Sequence, residues 1–379
     1  MTELTERVDK SALDVMLRVP DAVASVYLGP APGVANEYQL EWSTRWRSIA
    51  EVLREGGTDE ATISALEGSV APISSARAAS GTTEVVAFAR DGQILAMFPT
   101  PGAAWPDTAR ATAPAQVLPL LAWAQARPPY VLVAIDRVGA DIEVSPGSGS
   151  PPLTLTVDGP DDEIERNAPG GSLAQGRYQR RAEDSWKHNA GVVAEQVTAA
   201  LERVGARLLV VSGDVRATQL LRERLPEWVH RLVVVEQIKG SRAADGSQES
   251  RADVVAGVVR AAADRELDDL LRTFGEERSP GGLAVEGEHA TLDALAEGRI
   301  GTLLVREEYA DQRNAWFGAG PTDVQPTDQP PPAWPEPRLG QLTDVAVRAA
   351  LLTGARVRVL PAEGQEGPAE GLGGICRFH

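Results

Sequence analysis

Among the 379 residues there is a single cysteine, Cys376. One thiol closes no intramolecular disulfide and builds no cysteine cage for a metal. Histidine is scarce too. His188, His230, His289 and His379 stand far apart with no His-x-x-x-His spacing, so the patterns of a zinc site are missing. No apolar run approaches the roughly 20 residues that a membrane helix needs, and Met1 to Lys10 contain no apolar signal core. Neither Gly-x-x-x-x-Gly-Lys-Ser/Thr nor Gly-x-Ser-x-Gly occurs, which leaves a P-loop and a hydrolase elbow without support. Positive charge is in deficit as well, with 37 Lys and Arg against 54 Asp and Glu and a formal net charge of -17. That balance argues against general affinity for nucleic acid, though not against a local basic patch. These absences lead to the expectation of a cytoplasmic protein with no cofactor, no metal and no membrane partner.

What is present is ordinary globular material, 43% hydrophobic and 24% charged, in a chain long enough for two or three domains. The predicted fold class is α/β, with domains at 1–127, 128–239 and 240–379. In the first, Val23 to Leu28 reads as a strand, 37–55 as a helix stopped by Gly56-Gly57, and a second helix starts at Thr58-Asp59-Glu60. Two further strands flank Asp91-Gly92, a strong hairpin signal. In the second, Tyr130 to Asp136, Asp141 to Val144 and Leu153 to Val157 predict a meander, followed by a long helix, the strand 207–213, a helix over 217–225 and a strand over 231–238. A meander followed by helix-strand-helix-strand is the order of a ribonuclease-H-like sheet. In the third, helices are expected over 252–274, 283–296 and 342–353, strands over 300–305, 357–360 and 374–378, and a linker or long loop over 318–338.

The clearest concentration of positive charge lies between Arg166 and Asn189. Pro169, Gly170 and Gly171 punctuate a loop, Gln175 follows, and Arg177, Tyr178, Arg180 and Arg181 are expected at a helix start. Lys187 and His188 come next, and Trp186, Val193, Val197, Leu201 and Val204 recur at helical spacing. Glycines let a backbone come close to a ligand, and arginine forks fit phosphates, so this layout suits RNA. The plain alternative is a connection whose arginines pair with Asp161, Asp162, Glu163, Glu183 and Asp184, contacts of little energetic weight. Elsewhere, Ser212-Gly213-Asp214 reads as a tight turn that caps a helix in preference to a nucleophile turn. Asp161-Asp162 and Asp268-Asp269 read as solvated faces. Trp316, Phe317 and Trp334 border or sit in the Pro/Gly-rich segment, either as anchors for a protein partner or as staples folded onto their own domain.

The stretch resembles a motif of the archaeo-eukaryotic peptide-release-factor superfamily, in which a Gly-Gly-Gln loop precedes a basic helix start with Arg-Phe and, further on, His-Asn. Gly170-Gly171, Gln175, Arg177-Tyr178 and Lys187-His188-Asn189 stand in the corresponding order. Tyr130 to Asp136, Val210 to Gly213 and Gly371 to Phe378 are similar to the bacterial branch, that of the actinobacterial release-factor-like and Balon- or Pelota-like proteins. The resemblance implies a ribosome-binding translation factor acting in hibernation or rescue at the site where tRNA enters, with the 70S ribosome, rRNA and tRNA as partners. The first domain would approach the decoding centre, the central loop the peptidyl-transferase centre, and the third a translational GTPase such as elongation factor Tu. RNA contact would fall to Gly170, Gly171, Gln175, Arg177, Tyr178, Arg180, Arg181, Lys187 and His188. One departure bears on chemistry: Ser172-Leu173-Ala174 separate the glycines from Gln175. Electrostatic stabilisation of a leaving oxygen is lost when its donor is displaced, so docking carries over and hydrolysis does not. Two alternatives stay open: a peptidyl-tRNA hydrolase using Gln175, and a stress-related interaction protein without ribosome contact.

Overall fold

The computed structural model describes residues 10–30, 38–78, 84–147, 150–158, 172–240, 248–306, 313–328, 334–362 and 367–379, with side chains at all of these except 10–11, 38–41, 73–78, 172–185 and 248–250. By their contacts they form two compact units, one from 1–126 with 267–379 and the other from 127–266. The N-terminal and C-terminal segments, expected as separate domains, thus share one unit. The second change of unit falls within a helix at Glu266 and Leu267, away from the expected boundary at 239/240.

The N-terminal segment runs α1 (Lys10–Leu17), β1 (Val23–Leu28), α2 (Tyr38–Glu55), α3 (Glu60–Ala78), β2 (Val85–Arg90), β3 (Gln93–Pro99), β4 (Thr108–Thr112) and α4 (Leu118–Gln125). Its sheet has the order β3-β2-β1-β4 with antiparallel neighbours. Asp91 and Gly92 both take positive φ, 50° and 73°, as a two-residue hairpin turn matched to strand twist requires. Strand β1 is buried on both faces. Val26 and Leu28 join Ile49 and Leu53 of α2 and Leu66 of α3. Val23 and Tyr27, one step out of phase, point into a second cluster. β4 and α4 carry no clear signal in the sequence. Gln125 at the end of α4 is 5% exposed.

The central unit holds β5 (Tyr130–Ile135), β6 (Gly139–Ser145), β7 (Leu153–Asp158), α5 (Ser172–Val204), β8 (Leu208–Gly213), α6 (Val215–Arg224), α7 (Glu227–Leu232), β9 (Val234–Gln237) and the first part of α8 (Gln248–Glu277). Its sheet order is β7-β6-β5-β8-β9, antiparallel through the meander and parallel from β5 through β8 to β9. This is the predicted ribonuclease-H-like order. β5 is apolar throughout because both faces are covered. Val131, Val133 and Ile135 cluster with Val193, Val197 and Leu201 of α5, while Leu132 clusters with Val210 and with Val255 and Val259 of α8. The strand expected over 231–238 is shorter, because the helical turn α7 occupies 227–232 after Pro226.

The C-terminal segment adds β10 (Ala284–Glu286), α9 (Glu288–Ala296), β11 (Ile300–Arg306), β12 (Asn314–Phe317), β13 (Val324–Pro326), β14 (Arg338–Gln341), α10 (Leu342–Leu352), β15 (Arg356–Leu360) and β16 (Leu372–Cys376). One sheet has the order β10-β16-β11-β15 and a small one the order β13-β12-β14. The helix expected over 283–296 is a strand and a helix separated by Gly287, whose φ of 83° breaks the run. The segment 318–338, expected as a linker, contributes β13 and the start of β14. Phe317 is fully buried and so is a core residue, while Trp334 is half-buried. Both segments of this unit supply one core cluster, with Val23, Tyr27 and Phe88 from the first and Leu303, Val345, Ala346 and Ala349 from the second. Two polar side chains stitch the segments together. Gln125 Nε2 donates to the Val357 carbonyl at 2.6 Å, and the Val359 N–H donates to Gln125 Oε1 at 2.9 Å, completing the outer edge of β15. Arg348, fully buried, donates to the carbonyls of Leu17, Ala319 and Gly320 at 2.9, 3.1 and 3.2 Å and lies 5.5 Å from the centre of the Phe317 ring.

Candidate nucleic-acid interface

Helix α5 begins at Ser172, so Gln175, Arg177, Tyr178, Arg180 and Arg181 all lie on helix backbone. The sequence reading put Gln175 in the loop. Ser172-Leu173-Ala174 are good enough helix formers to extend the helix back to the glycine pair, and Gly176 is tolerated inside it at a cost of about 1 kcal/mol. Gly170 and Gly171 lie outside the described residues, as do the acidic residues Asp161 and Asp162, and the side chains of 172–185 are not described. Of the expected contact residues, Lys187 is half-buried and His188 exposed.

Positions 177, 180, 181, 184, 187 and 188 follow the three-and-four spacing of one helix face. Val193, Val197, Leu201 and Val204 occupy the opposite face, and the first three are buried at 0–1% exposure. The helix therefore runs a stripe of arginine, lysine and histidine positions, interrupted by Asp184, along the side away from the core.

What fixes the described end of this stripe is a pair of residues three apart on α5. Asn189 is 5% exposed, and its Nδ2 donates to the carbonyls of Arg137 and Val138 at 3.2 and 3.4 Å. Those residues form the turn between β5 and β6, in which Asp136 Oδ1 accepts from the N–H groups of Val138 and Gly139, both at 2.8 Å. The Asn189 Oδ1 is buried with no hydrogen-bond partner among the described residues. Trp186, one turn earlier, carries the Arg137 guanidinium over its ring at 4.7 Å from the centre. Arg137 Nη2 also reaches Asp214 Oδ2 at 3.3 Å. Asp214 caps α6, its Oδ1 accepting from the N–H groups of Arg216 and Ala217 at 2.9 and 3.1 Å. The turn before it admits only glycine: at Gly213 φ is 130°, and a Cβ would come 1.8 Å from the Ile135 carbonyl oxygen.

This geometry disposes of the nucleophile reading of Ser212, which is fully buried on β8 with its hydroxyl 3.5 Å from the Val133 carbonyl. Asp268 and Asp269 are exposed on α8, as a solvated face requires. Among the described residues no three His, Cys, Asp or Glu side chains gather in a way that could hold a metal ion, and no helix is long and apolar enough to cross a membrane. Arg137 escaped the sequence reading, although its partners Trp186 and Asp214 did not. The arginine stands alone in a turn, and only the folded sheet brings it to Trp186 and Asp214.

Residues 129–280 match the family described as bacterial archaeo-eukaryotic release factor family 2. The uncharacterized protein Rv2629 of Mycobacterium tuberculosis H37Rv is 24% identical over 359 residues, which cover 94% of this chain and 93% of that one. Three solved structures are similar in outline. The archaeal translation termination factor aRF1 is 16% identical, with 98% of each chain covered and a TM-score of 0.24. Dom34 of S. cerevisiae, a translation termination-like factor, is 8% identical over 73% of this chain and 75% of its own, with a TM-score of 0.38. Archaeoglobus fulgidus Pelota is 18% identical over 78% of this chain and 79% of its own, with a TM-score of 0.29. At these TM-scores the likenesses add nothing to the fold read from the sheets themselves. The match over residues 129–280 takes in the stretch that carries the basic helix and the turn it is pinned to, and there the chain is similar to the bacterial archaeo-eukaryotic release factors.

Proposed function

We propose that this protein is a ribosome-associated translation factor that docks where tRNA enters and acts in hibernation or rescue. The observation that carries the reading is the basic stripe of α5, which lies opposite the core face and is anchored at Trp186 and Asn189. A guanidinium-rich face on an acidic body orients the molecule, since the body is repelled by rRNA while the stripe is drawn in. In this reading residues 1–127 approach the decoding centre, the start of α5 approaches the peptidyl-transferase centre, and 240–379 meet a translational GTPase such as elongation factor Tu, with tRNA alongside.

Docking without peptide release is the form we favour over a hydrolase. In a helix that begins at Ser172 the N–H of the fourth residue, Gln175, is the first that the helix ladder consumes, which removes it as a donor to a leaving oxygen.

Co-sedimentation with 70S ribosomes tests the proposal. The full chain should pellet with ribosomes at low salt. Replacing Arg177, Arg180 and Arg181 together by alanine should release it at lower salt and flatten the salt dependence, by about 0.7 to 0.9 in logarithmic slope for each phosphate that no longer meets an arginine. A full chain that stays in the supernatant, or a triple variant that pellets unchanged across the salt series, refutes it. Labelled peptidyl-tRNA on programmed ribosomes should stay intact. Peptide release that Gln175→Ala abolishes would decide for the hydrolase.

A further inference from the structure

We infer that Arg137 is an RNA-phosphate contact, held ready on the face of Trp186 and passed from Asp214 to the phosphate on binding. The inference deepens the ribosome-binding reading and rests on it.

Arg137 sits where the central strand β5 ends, and three elements converge on it. Asn189 of α5 holds its backbone carbonyl at 3.2 Å. Trp186, on the same face of α5, lies beneath its guanidinium carbon, which is 4.7 Å from the ring centre. Asp214, at the end of the adjacent parallel strand, takes one N–H at 3.3 Å. The side chain is nonetheless 53% exposed. A guanidinium held over an indole ring loses less conformational freedom on binding than a solvated arginine does. Among the described residues the other N–H donors of this fork have no partner, so the planar edge that fits two phosphate oxygens is available.

Asp214 marks the ligand as an anion. Its pair with Arg137 is long and half-exposed, a kind worth little. Its other oxygen is committed to the cap of α6. The arginine can therefore exchange Asp214 Oδ2 for a phosphate oxygen without uncapping the helix. A phosphodiester suits the site because its two non-bridging oxygens match the planar edge of the guanidinium. None of this involves the glycine pair or Gln175, so the contact is separate from the one the sequence motif points to.

The test measures binding of the full chain to 70S ribosomes over a salt series, with folding checked by circular dichroism. Arg137→Gln should weaken binding about tenfold and lower the logarithmic salt slope by about 0.7 to 0.9, the amount that one phosphate neutralised by the protein accounts for. Arg137→Lys, which keeps the charge but not the fork, should fall between Arg137→Gln and the parent. Asp214→Asn keeps the capping oxygen and removes the competing charge, so it should tighten binding. Arg203→Gln, the same charge change at the far end of α5, should stay within about twofold of the parent. A second arm adds inorganic phosphate at constant ionic strength, which should leave the ribosome complex intact. The inference is overturned if Arg137→Gln binds with the parent's affinity and slope, if Arg203→Gln falls as far, if Asp214→Asn weakens binding, or if inorganic phosphate displaces the parent chain but not Arg137→Gln. A parent chain that fails to bind overturns the ribosome reading too, a result distinct from intact binding with a silent Arg137.

Discussion

Gln125 does with a side chain what a neighbouring strand does with its backbone. Its amide donates to the Val357 carbonyl and accepts from the Val359 N–H, the two outward-facing groups of β15, and β15 pairs on its other side with β11. Gln125→Leu keeps most of the volume and removes both bonds. Val357 and Val359 are 1% and 8% exposed, so their freed groups have poor access to water. Each hydrogen bond is worth about 1 kcal/mol net, and each buried group left unpaired costs about 1–3 kcal/mol, against which the leucine gains some apolar contact; a loss of about 3 kcal/mol is expected. Gln125→Glu is the sharper probe. It preserves an acceptor for the Val359 N–H but sets a second acceptor against the Val357 carbonyl, and it buries charge, so it should cost at least as much. Urea unfolding provides the measurement, and Cys376 reports on the unit concerned. That thiol is 5% exposed, and burial pushes its pKa up against the opposing pull of Arg299, whose Nη1 lies 3.7 Å from Sγ. It should react with a disulfide reagent only when the unit opens. Both variants should lower the midpoint without changing the denaturant slope. A Gln125→Leu loss under about 0.5 kcal/mol, or a Gln125→Glu protein as stable as the parent, would refute the reasoning.

Arg348→Met should destabilise the same unit by about 3 kcal/mol, since three carbonyls lose a shared donor in a buried site; Arg348→Lys should recover little of this, because one ammonium cannot span all three, and a lysine variant with the parent's urea midpoint would refute the clamp. Tyr130 on β5 has its pKa pushed up to about 12, first by burial and then by Glu143, whose Oε1 lies 3.1 Å from the phenol oxygen. The folded state therefore holds this proton more tightly than the unfolded chain, its contribution is complete below the ordinary value near 10, and stability should fall as pH rises from about 10 to about 12. Unfolding midpoints in that window should fall less steeply for Tyr130→Phe, and parallel curves would sink the assignment.

The parts of the fold legible in the sequence were those where one local signal was enough. Asp91-Gly92 announced the hairpin, unbroken Val-Leu-Val-Ala-Ile announced a strand, and Trp186 through Val204 announced the core side of α5. Where the signal was shared between two states, the reading failed. Leu283 to Glu286 fits a strand or the start of a helix, and the choice is made by pairing with β16, which no local pattern records. Thr108 to Thr112 has no branched apolar residue and becomes β4 because the edge of β1 accepts it. At the candidate site, Lys187 and His188 were visible as charge. Arg137 was not, because its place over Trp186 and its pair with Asp214 exist only once β5, β8 and α5 are side by side. Gln175 was misplaced because Pro169-Gly170-Gly171 outweighed the three helix-compatible residues that follow.

The unit built from residues 1–126 and 267–379 also sets an order of events during synthesis. When residue 126 has left the ribosome, α2 and α3 can already cover the Val26 face of β1. The Val23 and Tyr27 face cannot be finished, because Leu303, Val345, Ala346 and Ala349 have not been made. About 220 residues separate residue 126 from Ala349, roughly 10 to 45 seconds at 5–20 residues per second. The central unit is encoded without interruption and can close during that wait. The nascent chain thus spends tens of seconds with a finished middle and a sheet whose apolar side is bare, long enough for a chaperone to be the first protein that it meets.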